Sequence, residues 1–166
     1  MADRALVAQF VIGEIEHAVV EAFEQEQPDI ILVEGQSAVS HPAFMGSISI
    51  LKGSLPDGII LQHPPARQFR CDFPLLPMPT LASEIELIEA TSKTKVIAIA
   101  LSHENMSNSQ VQSTVEIYED QFNLPTTDVL NDGCQKLVQA LGDRFPKLNQ
   151  LIQRKAAEAL PLLAVR

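Results

Sequence analysis

Three short apolar runs constrain this chain more than anything else in it: DIILV (29–33), GIILQ (58–62) and KVIAIAL (95–101). None alternates apolar with polar. A strand with one wet face does alternate, so each run reads as a strand covered on both faces, as in a parallel sheet between helices. Helical periodicity fills the intervals. Val7, Val11, Ile15, Val19 and Phe23 recur at helical spacing while Glu14, Glu16, Glu21 and Glu24 point elsewhere, which predicts an amphipathic helix over 6–26, stopped by Pro28. Phe44, Ile48 and Leu51 share a helical face that Gly53 can close as a C-cap, although SISIL taken alone also suits a strand. LASEIELIEATS (81–92) is a further helix, and Val111, Val115, Tyr118 and Phe122 mark another behind a Ser/Asn-rich start suited to capping. LPTTDV suits a short fourth strand. Helices near 131–142 and 146–160 close the chain, the second with Pro146 in its first turn. Strands alternating with helices imply the α/β class: a three-layer α/β/α arrangement on a mostly parallel sheet with right-handed crossovers.

The 166 residues suit one domain of ordinary size. A formal net charge of −9, from 12 Lys and Arg against 21 Asp and Glu, argues against nucleic acid or an anionic membrane as a general partner and leaves small molecules and proteins. Cys71 and Cys134 are far apart and form no CxxC spacing, which suits a reduced cytosolic protein. No basic N-terminal region precedes a long apolar one, and no window nears the roughly 18 apolar residues of a membrane span, so the expectation is a soluble, cytoplasmic protein. The segment 62–79 holds five prolines and reads as a long irregular loop, a type often functional.

Parallel strands bring their carboxyl ends to one edge, and open α/β sheets bind their ligands there. That edge collects Glu34 and Gln36, then His63 and Arg67, then Ser102 and His103. The plainer alternative is that strands end in polar residues because loops are wet. His41, before Pro42, either orients a ligand or caps the helix that follows. Arg67 either grips a carboxylate or phosphate with its fork, or pairs with Asp72 in its own loop. His17, among the glutamates of the first helix, reads as a solvated residue. Glu34, His63 and His103 are permissible metal ligands, but no HxH or HExxH spacing supports a metal. Ser37 and Ser102 lack the G-x-S-x-G elbow of a hydrolase.

Four segments taken in order carry a resemblance: VEGQSAVSHPAF, GSLPDGIILQHPPAR, VIAIALSHEN and NLPTTDVLNDGCQKLVQAL. Together they resemble the C-terminal domain of a family of P-loop proteins long known only as a domain of unknown function. The family is often encoded beside dipeptide epimerases and includes D-glutamate N-acetyltransferases. The likeness runs from about residue 5 to 142. It implies that DIILVEGQ is a Walker B-like strand, with Glu34 near a phosphate-bound Mg²⁺ or its water and with Gly35 and Gln36 letting the backbone approach a ligand. His41, His63 and Arg67 match motif positions and would line the same cleft. The resemblance thus implies Glu34 and His63 as catalytic, and Gly35, Gln36, His41, Arg67, Ser102 and Asp128 as substrate- or phosphate-binding. Ser102 stands where the family pattern has asparagine, and Val129 where it has proline.

The implied function is N-acyl transfer to an acidic amino acid such as D-glutamate, with Arg67 on the substrate carboxylate. The alternative is a non-catalytic binding or scaffolding domain that keeps the fold. The phosphate-binding sequence G-x-x-x-x-G-K-[ST] does not occur, and GSISILKGS has glycines and a lysine in another order. The expectation is therefore a single, partial P-loop-type domain over 1–166. Acetyl-CoA, or a nucleotide with Mg²⁺, would then be a cofactor of the complete protein only. An N-terminal partner chain would carry the P-loop, and the chain itself would be a homo-oligomer. In P-loop folds the strand leading into the phosphate loop lies between the Walker B-like strand and the next one, so 29–33 and 58–62 are expected to face a gap.

Overall fold

The structure, a computed structural model, describes residues 3–163, with side chains described over 10–154. In chain order its elements are α1 (Asp3–Glu26), α2 (Gly46–Ser54), β1 (Ile59–His63), β2 (Phe69–Arg70), β3 (Phe73–Pro77), α3 (Leu81–Ser92), β4 (Val96–Leu101), α4 (Asn108–Phe122), β5 (Thr126–Thr127), α5 (Val129–Asp132), α6 (Gln135–Arg144) and α7 (Pro146–Leu163). The class is α/β, with a parallel sheet and helices. Among the described residues no helix is long and apolar enough to cross a membrane. The chain divides into two compact units, Met1–Ile59 with Gln68–Val96, and Ile60–Arg67 with Ile97–Arg166.

The second unit is built on the sheet β1-β4-β5. β4 and β5 run parallel, Ile99 opposite Thr126 and Ala100 opposite Thr127. Along β1 and β4 residue numbers rise together, from Ile59 N–H donating to Lys95 O (3.1 Å) to Ser102 N–H donating to His63 O (2.9 Å), which is the parallel arrangement. VIAIAL, residues 96–101 of the KVIAIAL run, became the middle strand because it has no polar residue to turn outward: Ala98 and Ile99 are wholly buried, Val96, Ile97 and Leu101 nearly so. Helix α4 opens on the cap its sequence promised. Ser107 accepts from Gln110 N–H while the Gln110 side chain accepts from Ser107 N–H, so two otherwise orphaned donors are satisfied.

In the first unit α2 packs on α1, and Leu51, Leu81 and Ile88 are buried. Several expectations are corrected here. DIILV forms no strand: residues 30–36 carry no regular structure, and Ile30, Leu32 and Val33 are exposed, Leu32 to 81%. An unalternating run needs neighbours at its edges and cover on both faces. Among the described residues it forms no ladder, so water solvates it instead.

SISIL is helical, and Gly53 is not its C-cap. The left-handed cap is Leu55 at φ 45°, while Gly53 lies inside α2 against α1. The proline-rich stretch is not wholly irregular either: β2 and β3 make an antiparallel hairpin, Phe69 opposite Pro77 and Arg70 opposite Phe73. Prolines are tolerated because a two-stranded ribbon has outer edges with no ladder to complete, and Asp72 takes the positive φ (63°) of the turn. The helix expected near 131–142 is broken by Gly133 at φ 76° into α5 and α6. Along α1, Ile12, Ile15 and Val19 are half-buried whereas Val11 and Phe23 are exposed; Val7 lies outside the described side chains.

Candidate functional site

In the second unit the three parallel strands end together, and the next residues of the chain are chemically active ones. β1 ends at His63, Ser102 and His103 follow β4, and Asp128 follows β5. Asp128 is the most constrained of them, only 1% exposed. Its Oδ1 caps α5 by accepting from Leu130 N–H at 3.2 Å, and its Oδ2 accepts from the Asn131 side-chain amide at 2.7 Å. The same Oδ2 lies 2.6 Å from His103 Nδ1. A carboxylate only accepts, so His103 Nδ1 carries the proton and donates it. In the neutral ring the lone pair is then on Nε2, and the side chain is 37% exposed. The turn that presents this ring is local: Met106 N–H donates to His103 O at 2.9 Å, with Asn105 in the left-handed region at φ 58°, a position asparagine tolerates.

Arg67 sits on the loop after β1 and presents a fork to the neighbouring turn. Its Nε donates to Glu104 Oε1 at 3.4 Å, and Nη2 donates to Glu104 Oε2. Both side chains are more than one-third exposed. The Arg67 hydrogen bond holds the Glu104 carboxyl below its ordinary range. His63 is half-buried with its ring 5.8 Å from that of Tyr118, and burial holds its pKa below the ordinary histidine value while pushing the Tyr118 phenol up. Ser102 is half-buried and gives its backbone N–H to His63 O. Beside these residues lies an open depression of about 420 Å³, lined by Pro65, Ala66, Met106, Ser109, Gln110, Ser113 and Thr114. Its lining is uncharged.

The other expected residues belong to the first unit. Glu34, Gly35 and Gln36 are exposed on the unpaired segment. A Cβ on Gly35 would meet only Ser47 Oγ, at an ordinary 3.5 Å, so packing does not demand glycine there. His41 is buried, stacked on Phe44 at 4.4 Å and edge-on to Phe73 at 5.4 Å. Ala43 N–H donates to its Nδ1 at 3.3 Å and its Nε2 faces Cys71 O at 3.4 Å, so one neutral tautomer satisfies both nitrogens. His17 is exposed on α1. The buried Glu84 accepts from Ser40 Oγ, which in turn accepts from Arg70 Nη2 at 2.8 Å. A phosphate cradle is not formed by GSISILKGS, which is the helix α2, with Lys52 exposed and Gly53 packed on α1. This segment therefore does not supply the backbone cradle that a nucleotide polyphosphate needs.

Sequence reasoning placed His63, Ser102 and His103 at one edge, but missed that Asp128 serves His103 and that Glu104 holds Arg67. A usable signal existed for the first of these. Asp128 follows a strand and precedes Asn131 at i+3, the spacing of a capping aspartate with a second donor.

Comparison with known proteins agrees with this architecture. Residues 2–138 match the family described as "Domain of unknown function (DUF1611_C) P-loop domain". A D-glutamate N-acetyltransferase of a Pseudoalteromonas species is 32% identical over 82% of this chain. A second D-glutamate N-acetyltransferase, from Tritonibacter scottomollicae, is 25% identical over 82% of it. In each case the chain spans only 42% of the relative's length. The crystal structure of a DUF1611 family protein from Anabaena variabilis superposes with a TM-score of 0.73 at 24% identity, covering 80% of this chain and 40% of that one, and thus shares the fold.

Proposed function

Because the chain belongs to the DUF1611 C-terminal P-loop domain family, we propose that it is the substrate-binding and proton-handling part of an N-acyltransferase for an acidic amino acid such as D-glutamate. One observation carries this reading. Arg67 already holds a carboxylate, that of Glu104, through Nε and Nη2, and both side chains are accessible. A substrate carboxylate has the same shape and charge and would replace Glu104 on the fork, leaving its amine for acylation. The names of the two relatives support the same substrate class.

His63 and Glu34 are proposed as catalytic groups, and Gln36, His41 and Ser102 as secondary binding residues; His41 would act through Phe44 and Phe73 by fixing the surrounding loop. The acyl donor, proposed as acetyl-CoA, would be held largely by the remaining length of the complete protein. A second reading, a non-catalytic binding domain, is favoured by the helical GSISILKGS segment. Acetylation of D-glutamate, L-glutamate and D-alanine, measured by mass spectrometry, separates the two readings. The chain would be assayed alone and mixed with the further segment that the Pseudoalteromonas relative possesses. Acetylated D-glutamate in the mixture, lost in Arg67→Ala and in Glu34→Gln, is the expected result. No product with any amino acid in the mixture would favour the binding domain.

A further inference from the structure

The four histidines of this chain are not equivalent. His17 is exposed on a helix, His41 has both ring nitrogens engaged, and His63 lies against Tyr118 with no hydrogen bond to its ring among the described residues. Only His103 combines an anchored Nδ1 with an open Nε2. Its anchor is a carboxylate 1% exposed, itself fixed by Leu130 N–H and the Asn131 amide. Nothing about α5 capping requires a histidine at that carboxylate, since Leu130 and Asn131 already satisfy it.

We propose that His103 is the catalytic base of acyl transfer, with Asp128 and Asn131 as positioning residues that hold its Nε2 lone pair toward the substrate amine. This rests on the N-acyltransferase reading above. The neutral amine nitrogen attacks the carbonyl carbon of an acyl thioester, and the N–C bond forms. His103 Nε2 takes the proton leaving that nitrogen, and Asp128 stabilises the resulting imidazolium without itself being protonated. As the C–S bond breaks, the imidazolium returns the proton to the departing thiolate. The thiol leaves, the amide remains and the base is regenerated. Arg67 stands on the loop after β1 and its partner Glu104 directly follows His103, so the carboxylate fork and the base are joined through one turn.

The test uses an activated ester, p-nitrophenyl acetate, so that it does not depend on the identity of the amino acid or on the rest of the complete protein. The intact chain is expected to cleave the ester faster than buffer. His103→Gln should lower the rate by about tenfold or more, Asp128→Asn by a smaller factor, and His17→Gln not at all. Added 4-methylimidazole should raise cleavage in His103→Ala well above the sum of the variant's own rate and the rate that 4-methylimidazole gives in buffer, a rescue that a merely structural histidine would not show. Wild-type chain treated with diethyl pyrocarbonate should carry the adduct on His103 by peptide mapping, lose cleavage, and regain it with hydroxylamine. That arm keeps the test decisive if a variant does not fold. Cleavage no faster than buffer, an unmodified His103, or full cleavage with His103 modified would each overturn the proposal. Ester cleavage that depends on His103, alongside no acetylation of D-glutamate in the complemented mixture, would refute the acidic-amino-acid reading and leave the base standing.

Discussion

His63 and Arg67 stand four residues apart and answer to opposite electrostatics. Burial lowers the pKa of His63, so the folded chain resists a proton that the unfolded chain accepts near the ordinary value of 6.5. Above 6.5 both states are neutral and the residue contributes nothing. As pH falls through 6.5 toward the folded value, the unfolded state binds more protons and stability declines. The carboxylates of Glu89, Glu104 and Glu119 act in another window. Their folded pKa values lie below the ordinary 4.5, so their contribution is complete above 4.5 and is lost only on further acidification. Melting temperatures taken between about pH 7 and pH 5 should therefore fall less in His63→Gln than in wild type; parallel curves would mean that His63 is solvated. For Arg67 the readout is kinetic. In the complemented enzyme Arg67→Lys should raise KM for the acidic amino acid roughly tenfold, about 1.4 kcal/mol, with kcat little changed, because a point charge replaces a two-point fork. An unaltered KM would assign Arg67 to its Glu104 pair alone.

One connection between helix and strand is used twice. At the end of α3, Glu89 accepts from Val96 N–H at the start of β4, with Lys93 as the left-handed cap between them. At the end of α4, Glu119 accepts from Thr126 N–H at the start of β5, with Asn123 as the cap. The spacing is the same, and Lys95 and Lys136 each salt-bridge the carboxylate concerned. The carboxylate satisfies a strand-opening donor that no neighbouring strand reaches, which is why so short a β5 holds its register. Another joint is steric. A Cβ on Gly53 would lie 2.6 Å from Ile12 O and 2.8 Å from Ile15 Cβ. Alanine gains about 1 kcal/mol of helix propensity over glycine, but overpacking against backbone costs roughly 1 to 3 kcal/mol, so the clash prevails. Gly53→Ala should lower the melting temperature by a few degrees, on the order of 2–4 °C per kcal/mol, whereas Gly46→Ala, with nothing within 4 Å, should not lower it. A Gly53→Ala protein as stable as wild type would mean that α1 moves freely on α2. Helix periodicity revealed α3 and α4 in the sequence, and unbroken apolarity revealed β4, because those signals are local. The Gly53 contact, the role of Asp128 toward His103 and the failure of 29–33 to pair depend on residues distant in sequence, which no window displays.

At the scale of the molecule, the unpaired segment is the outstanding feature. Ile30, Leu32 and Val33 are exposed at 43%, 81% and 42%, in a run whose composition suits a strand. The chain spans 42% of the length of its curated relatives, so a complete protein of their size has further length from which a neighbouring strand can come. Burying an aliphatic side chain contributes about 1.5 to 3 kcal/mol, and ordering a residue's backbone costs about 1 to 2 kcal/mol. The side chains alone roughly cancel the ordering, so pairing becomes favourable only when a partner strand also satisfies the backbone groups of the segment. Supplied as a separate chain, the further segment of the Pseudoalteromonas relative should therefore protect the amides of 30–33 from hydrogen exchange and raise the melting temperature. Leu32→Lys should leave the isolated chain as stable as before, since the side chain already faces water, and should abolish both effects in the mixture. Self-association through the same edge would instead protect these amides without any added segment, with a mass by light scattering that rises with concentration. Amides already protected in a monomer, or a Leu32→Lys chain that still gains protection in the mixture, would show that this segment is not where the rest of the protein docks.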